Sequence, residues 1–409
     1  MLDLAPYIRP GDGVWWGQAS AEPEPLVNAL LDQADAIGPV RAFTGMTLNA
    51  RFAHGLPAAL TMVSYGALGR LRGLRGLQVV PCNYSALPRL FAQGRLPGDV
   101  GLLQVSAPDA SGMVSLGIGV EYVADALPHA RTLIAEINHQ MPATAGAPRL
   151  PLSAFAAIVE TDRPLREVPG REPDAVDRAI AENVAGLVND GDTLQIGVGT
   201  LPNAILSALS GRTDLGIHTG MITDGVIALI EQGAVTGAKK EIDQGLVITG
   251  AALGSATMYG RLHEFPVEFR PASYTHSPAV LAGLRSLVSV NSAIEVDLLG
   301  QAGAEMAGRA QLGAAGGQAD FSRAASLTGA RSVIALRSES RAGSTIVPTL
   351  SGGVVTTARA DMDAVVTEHG AAVLTGCTVD ERACRLIAVA APRYRESLER
   401  SLAELKVAS

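Results

Sequence analysis

Four short segments hold residue types that do chemistry, at spacings that let them act together. The first, Gly197-Val198-Gly199-Thr200-Leu201-Pro202, follows the apolar run Thr193-Leu194-Gln195-Ile196 and precedes a helical pattern. Its glycines let backbone N–H groups converge, proline suits a first helical turn, and a helix start adds partial positive charge. Such a loop holds a phosphate or a developing oxyanion. The plain alternative is a tight strand-to-helix turn. It is not a dinucleotide fingerprint, because Pro202 takes the last glycine place, and no Gly-Lys-Ser/Thr follows.

The second segment, Leu215-Gly216-Ile217-His218-Thr219-Gly220-Met221-Ile222-Thr223-Asp224-Gly225, reads as a strand ending in a loop. Ligands of open α/β sheets bind beyond the carboxyl ends of strands, which brings His218, Gly220 and Asp224 toward a site built on the Gly197 loop. A structural histidine is the alternative there. The third, Val290 to Leu298, alternates polar and apolar as a strand does and sets Glu295 and Asp297 on one face, for chemistry or merely for solvent. The fourth, Gly313 to Phe321, carries the adjacent glycines Gly316 and Gly317. These admit close approach of a ligand to the main chain, or simply loop freedom.

The elements that must position these residues are visible in the pattern. Leu102-Leu103-Gln104-Val105 and Thr132-Leu133-Ile134-Ala135 read as buried strands, alternating with helical runs such as Pro25 to Leu31. That alternation predicts two similar open α/β domains with mostly parallel sheets. The polar, proline-containing stretch Glu160–Pro173, with Pro164, Pro169 and Pro173, predicts a linker, giving an N-terminal domain over 1–165 and a C-terminal domain over 166–409. Gly11-Asp12-Gly13-Val14-Trp15-Trp16 before Pro25 is echoed by Gly191-Asp192-Thr193-Leu194-Gln195-Ile196 before Pro202. Duplication and coincidence both explain the echo.

Composition narrows the classes. The 409 residues exceed one core and suit two domains of about 200 residues each. With 47% hydrophobic and 18% charged residues the chain is not mainly disordered. A net charge of −8 gives no electrostatic footprint for nucleic acid. Cys82, Cys377 and Cys384 form no CxxC pair, so no disulfide framework or metal site is expected. The start of the chain lacks a signal-peptide pattern and no apolar run is long enough for a membrane span, which predicts a soluble, cytoplasmic protein.

Taken together, the segments resemble the acetyl-CoA hydrolase/transferase family, which includes 4-hydroxybutyrate CoA-transferase and related class I CoA-transferases. The resemblance rests on Ala21-Glu22-Pro23, Ser106-Ala107-Pro108-Asp109 with Ser111-Gly112, Leu194 to Gly199 and Leu215 to His218. Further along it rests on Asn291 to Asp297, Gly316 to Phe321, Val355 to Arg359 and Val365 to Gly370. It implies a homodimer of two-domain chains with the active site between the domains, and an acyl-CoA with a small carboxylate acceptor as substrates. It also implies a glutamate that attacks the thioester, passes through an anhydride and becomes a glutamyl-CoA thioester. Gly197, Val198, Gly199, Thr200 and Leu201 match the CoA-binding and oxyanion loop, with the Val198 N–H as donor. Gly316 and Gly317 match a second glycine motif that closes on the acyl group.

One departure bears on the chemistry. The glutamate's place, after Gly-Ile-His-Thr and before Met, is held by Gly220, which has no carboxylate. Glu295 and Asp224 are alternative carboxylates, and His218 or Asp224 could position a water. The sequence therefore predicts an acyl-CoA-utilising enzyme, with coenzyme A or acyl-CoA as substrate and no metal. Hydrolysis or other non-covalent acyl-CoA chemistry, and a catalytically silent CoA-binding protein, remain the alternatives.

Overall fold

The computed structural model describes residues 2–168 and 170–407. The chain forms two compact units: Met1–Pro169 with Gly220–Asp224 and Ile248–Ser277, and Gly170–Thr219 with Gly225–Val247 and Pro278–Ser409.

The first unit is built on seven strands in the order Ala157–Thr161, Thr132–Asn138, Val100–Val105, Gly13–Trp16, Val40–Phe43, Leu60–Ser64, Gln78–Val79. Every pairing is parallel. The chain enters at Gly13–Trp16, runs to one edge and returns to fill the other side, so the order reverses between Gly13–Trp16 and Val100–Val105. Both faces are covered: Trp15 and Trp16 point to opposite faces, and both are buried completely. Helix Glu24–Ile37 seals one face with Leu26, Val27, Leu30, Leu31, Ala34 and Ile37, a stripe at helical spacing. Each large side chain so buried contributes about 1.5–3 kcal/mol.

The second unit carries six strands in the order Gly216–Ile217, Thr193–Ile196, Leu287–Asn291, Arg331–Ala335, Ala364–Thr367, Gly370–Val373. All pair in parallel except the closing hairpin of the last two. Here the order reverses between Thr193–Ile196 and Leu287–Asn291. The expected α/β architecture with mostly parallel sheets is what the chain adopts.

The two Gly-Asp turns are built alike. Asp12 accepts from the Arg9 N–H at 2.7 Å and Asp192 from the Asn189 N–H at 2.7 Å, in each case three residues back. Each aspartate faces an arginine at the head of a sheet strand, Arg131 at 2.7 Å and Arg331 at 3.7 Å. Each turn feeds the strand at which its sheet changes direction.

Two local expectations are modified. The alternating run Val290 to Leu298 is two strands, Leu287–Asn291 in the large sheet and Glu295–Asp297 in a separate three-stranded sheet. Asp297 is buried and accepts from Leu299 N, Gln301 N and Gln301 Nε2, so that face is not a solvent face. Within the linker stretch, Glu160 and Thr161 still belong to an edge strand, and Pro169 lies outside the described residues. Two of its arginines are pinned to the first unit, Arg163 gripping Glu136 at 2.6 and 2.9 Å and Arg166 gripping Glu24, and from Gly170 the stretch belongs to the second unit. Among the described residues no helix is long and apolar enough to cross a membrane.

Candidate active site

In the second unit, strand Thr193–Ile196 delivers Gly197 and Val198 to the loop, and Gly199 caps helix Thr200–Ala208. Gly199 has φ +129°, a conformation that side-chain-bearing residues rarely adopt, so glycine here is required by the turn itself. A cavity of about 350 Å³ opens over the loop, lined by Gly197 to Pro202, Ile205, Val290 to Ser292 and Ala335. It lies beyond the carboxyl ends of three adjacent parallel strands, at the place where the strand order reverses. The helix start borders that space, and the first N–H groups of any helix lack a partner within it, an arrangement suited to a phosphate or an oxyanion. Val198 is 41% exposed, so its side chain leaves the loop accessible.

The other expected residues are dispersed. Gly316, at φ +54°, and Gly317, which caps helix Gln318–Thr328, are half-buried and do not line that cavity. His218 is completely buried, with its N–H on Leu194 O at 3.0 Å, and the neighbouring Thr219 hydroxyl donates to Ile196 O. Both Glu295 oxygens are held by Ser351, from its N–H at 2.7 Å and its hydroxyl at 2.8 Å. Asp224 is held in the same manner in the first unit: the Ser255 N–H reaches Oδ2 at 3.0 Å and the Ser255 hydroxyl reaches Oδ1. These two carboxylates serve as anchors for backbone turns, Ser255 being also the cap of helix Ala256–Arg261.

Gly220 belongs to the first unit, and its carbonyl accepts from Gly250 N and Ala251 N, each at 3.1 Å. A β-carbon at this position would lie 2.9 Å from His276 Cε1 and 3.1 Å from Nε2. The imidazole therefore occupies the space in which a longer side chain would start. His276 is itself buried, tilted at 40° against the Tyr84 ring with 4.6 Å between centroids, and its Nδ1 lies 2.9 Å from the Thr275 hydroxyl.

Around this ring pair lies a buried polar group that no local spacing announces. The Tyr84 hydroxyl donates to Glu121 Oε2 at 2.6 Å, Gln18 Nε2 donates to the same oxygen, and the Tyr65 hydroxyl donates to Gln18 Oε1 at 2.9 Å. Burial pushes the Glu121 carboxyl up to about 7 against the downward pull of the Tyr84 and Gln18 donors. Tyr65 directly follows the carboxyl end of strand Leu60–Ser64, Gln18 follows that of strand Gly13–Trp16 after one intervening residue, where the order reverses, and Tyr84 opens a short helical turn after the edge strand Gln78–Val79. Gly45 leaves room for this group, since a β-carbon there would collide with Gln18 and Tyr65.

Comparison with known proteins places the chain in a family. The N-terminal domain of acetyl-CoA hydrolase/transferase matches residues 2–166, and the C-terminal domain of the same family matches residues 254–402. The chain is 41% identical over 323 residues to the 4-hydroxybutyrate coenzyme A transferase of Clostridium kluyveri, covering 78% of this chain and 75% of that one. It is 29% identical over 213 residues to an acetyl-CoA hydrolase of Eremothecium gossypii, half of this chain and 39% of that one. Among solved structures, RipA from Yersinia pestis superposes with a TM-score of 0.91 at 33% identity, covering 98% of this chain and 96% of that one. A 4-hydroxybutyrate CoA-transferase from Porphyromonas gingivalis superposes with a TM-score of 0.82 at 33% identity, covering 98% and 95%.

Proposed function

The chain belongs to the acetyl-CoA hydrolase/transferase family, and on that premise we propose that it acts on a short acyl-CoA thioester by direct attack at the acyl carbon, without a glutamyl-CoA intermediate. The observation that carries this reading is the pairing of Gly220 with His276. The family's nucleophilic glutamate would stand at Gly220, and a buried imidazole fills the start of that side chain's path. A carboxylate in line with the thioester carbonyl is what the covalent route needs, and glycine supplies none.

The substrate reading rests on the Gly197–Leu201 loop. Its cavity, its glycine at φ +129° and the helix start behind it suit the anionic parts of coenzyme A, or the oxyanion that forms when a thioester is attacked. The Val198 N–H is the donor that the family resemblance assigns to that oxyanion, an effect of about 3 kcal/mol in comparable sites. Water is the simplest acceptor and makes the reaction a hydrolysis. A small carboxylate as acceptor would make it a transfer. A homodimer is what the family resemblance implies, and light scattering at the mass of two chains would bear it out.

Thiol release from acetyl-, propionyl- and butyryl-CoA, with and without acceptor carboxylates, tests the reading. Release that needs no acceptor, with no CoA-bearing protein in intact mass spectra, is expected. A CoA thioester trapped on the protein would restore the covalent route, and no turnover with any thioester would leave a CoA-binding protein.

A further inference from the structure

Glu121 is 3% exposed, and its backbone φ of +29° lies where a side-chain-bearing residue is strained. A buried carboxylate and a strained backbone are each costly, and such costs persist where the surroundings impose them, as they do at reacting sites. Here the surroundings are specific. The Glu121 N–H and the Val120 N–H both donate to Gly250 O, and Gly250 in turn donates to Gly220 O. A β-carbon on Gly250 would lie 3.0 Å from Gly220 O and 3.1 Å from Glu121 Cγ, so one methyl group spans the distance between them. Glu121 thus stands beside the position from which the carboxylate has gone.

Its two oxygens are not equivalent. Oε2 accepts from Tyr84 and Gln18, whereas Oε1 accepts no hydrogen bond among the described residues. Gln18 sits beyond the carboxyl end of strand Gly13–Trp16, where the sheet order reverses and where open α/β sheets bind their ligands.

The geometry points to Glu121 as the general base of this chain: its Oε1 takes a proton from the water that attacks the acyl carbon, beside the place where Gly220 supplies no carboxylate. The inference rests on the direct-attack reading above. In the step, the water oxygen bonds to the acyl carbon, its proton passes to Glu121, and the carbonyl electron pair moves onto oxygen. When the carbonyl re-forms the C–S bond breaks, and the sulfur leaves with its electron pair and takes the proton from Glu121. Acyl-CoA and water give a carboxylic acid and the CoA thiol, with no other reactant. The Glu121 carboxyl, pushed up to about 7 by burial, is available in both protonation states near neutrality, as a group that takes and returns a proton should be.

The test uses the full-length protein and thiol release from the same three thioesters. Glu121→Gln should lower kcat by about 100-fold or more while KM stays within about threefold, with the acid limb of the pH–rate profile abolished. Tyr84→Phe removes a donor that favours the ionised carboxylate, so its acid limb should move to higher pH. Of the titratable groups facing this cluster, Tyr65 and Tyr84 have hydroxyls pushed well above their usual range. His276→Asn removes the imidazole tilted against the Tyr84 ring and should leave the limb in place.

Wild-type turnover that Glu121→Gln retains would overturn this assignment and leave the direct-attack reading standing. So would an acid limb unmoved in Tyr84→Phe, which decides the matter if Glu121→Gln fails to fold. A CoA adduct mapped to Glu121 would make it a nucleophile and overturn its role as a base. No thiol release by the wild type would overturn both readings.

Discussion

The imidazole of His276 fills the space that a side chain at Gly220 would need: an added β-carbon would sit 2.9 Å from Cε1. Installing the family's glutamate is therefore a packing problem as well as a chemical one. Gly220→Glu alone should lower stability by about 1–3 kcal/mol, the usual cost of overpacking a buried site. Gly220→Glu with His276→Ala should recover part of that loss, because the two sites touch and their effects do not add. The double variant should show more acceptor-dependent CoA transfer than the single one. Urea denaturation with a transfer assay on all three proteins checks this, and additive stabilities would mean that the imidazole is no obstacle.

The glycine loop makes a different kind of prediction. Gly199 is held at φ +129° with ordinary space around it, so a methyl group there costs backbone strain rather than a clash. That strain is of order 1–3 kcal/mol, and relieving it would misplace the Val198 and Gly199 N–H groups. Gly199→Ala should therefore weaken binding of CoA by about tenfold or more, since tenfold corresponds to 1.4 kcal/mol. Val198→Ala, which trims an exposed side chain and keeps the N–H, should change affinity by less than about threefold. Calorimetry with CoA would tell the two apart, and equal losses would show that the side chain, not the main chain, makes the site.

Asp224 and Glu295 looked in the sequence like replacements for the missing carboxylate. Their oxygens are instead held by Ser255 and Ser351, each through an N–H and a hydroxyl. Asp224→Ala and Glu295→Ala should each cost about 0.5–1.5 kcal/mol of stability, the net contribution of such hydrogen bonds where water can replace the lost acceptor. Thiol release measured well below the melting temperature should fall by no more than about threefold. A loss of about 100-fold in either would return that residue to the chemistry.

How much of this was legible depended on whether the information is local. The Gly197 to Leu201 loop was, because a strand, two glycines and a helix start adjoin in sequence and must adjoin in space. The Gly-Asp echo was visible too, although not that Asp12 and Asp192 each bind the N–H three residues back and face Arg131 and Arg331. The run Val290 to Leu298 misled because both its ends alternate, while the pairs Asn291-Ser292 and Ala293-Ile294 that interrupt the period sit where the pairing partners change. Gln18, Tyr65, Tyr84, Glu121 and His276 come from five separate segments, so no spacing could assemble them. Nor could spacing show that Gly220–Asp224 and Ile248–Ser277 pack with the first unit, which is what brings Gly220 and His276 to Glu121's neighbourhood.

Glu22, from the Ala21-Glu22-Pro23 segment, carries the last prediction. It is buried, with the Thr47 hydroxyl donating to Oε2 at 2.5 Å, and burial pushes its carboxyl from the usual 4.5 to about 7. A raised carboxyl gives the folded state the proton that the unfolded chain has already lost, so stability is greatest below about pH 4.5 and declines as the pH rises to about 7. Above that both states are ionised and the dependence levels off. Glu22→Gln cannot titrate, so the difference in unfolding free energy, wild type minus variant, isolates this group from the others. That difference should fall by up to about 1.4 kcal/mol per pH unit through the window, and by about 3 kcal/mol in all. Urea titrations from pH 4 to pH 8 would measure it. A difference that stays level or rises would mean that Glu22 is ionised throughout, held by Thr47 and the Arg163 charge against the cost of burial.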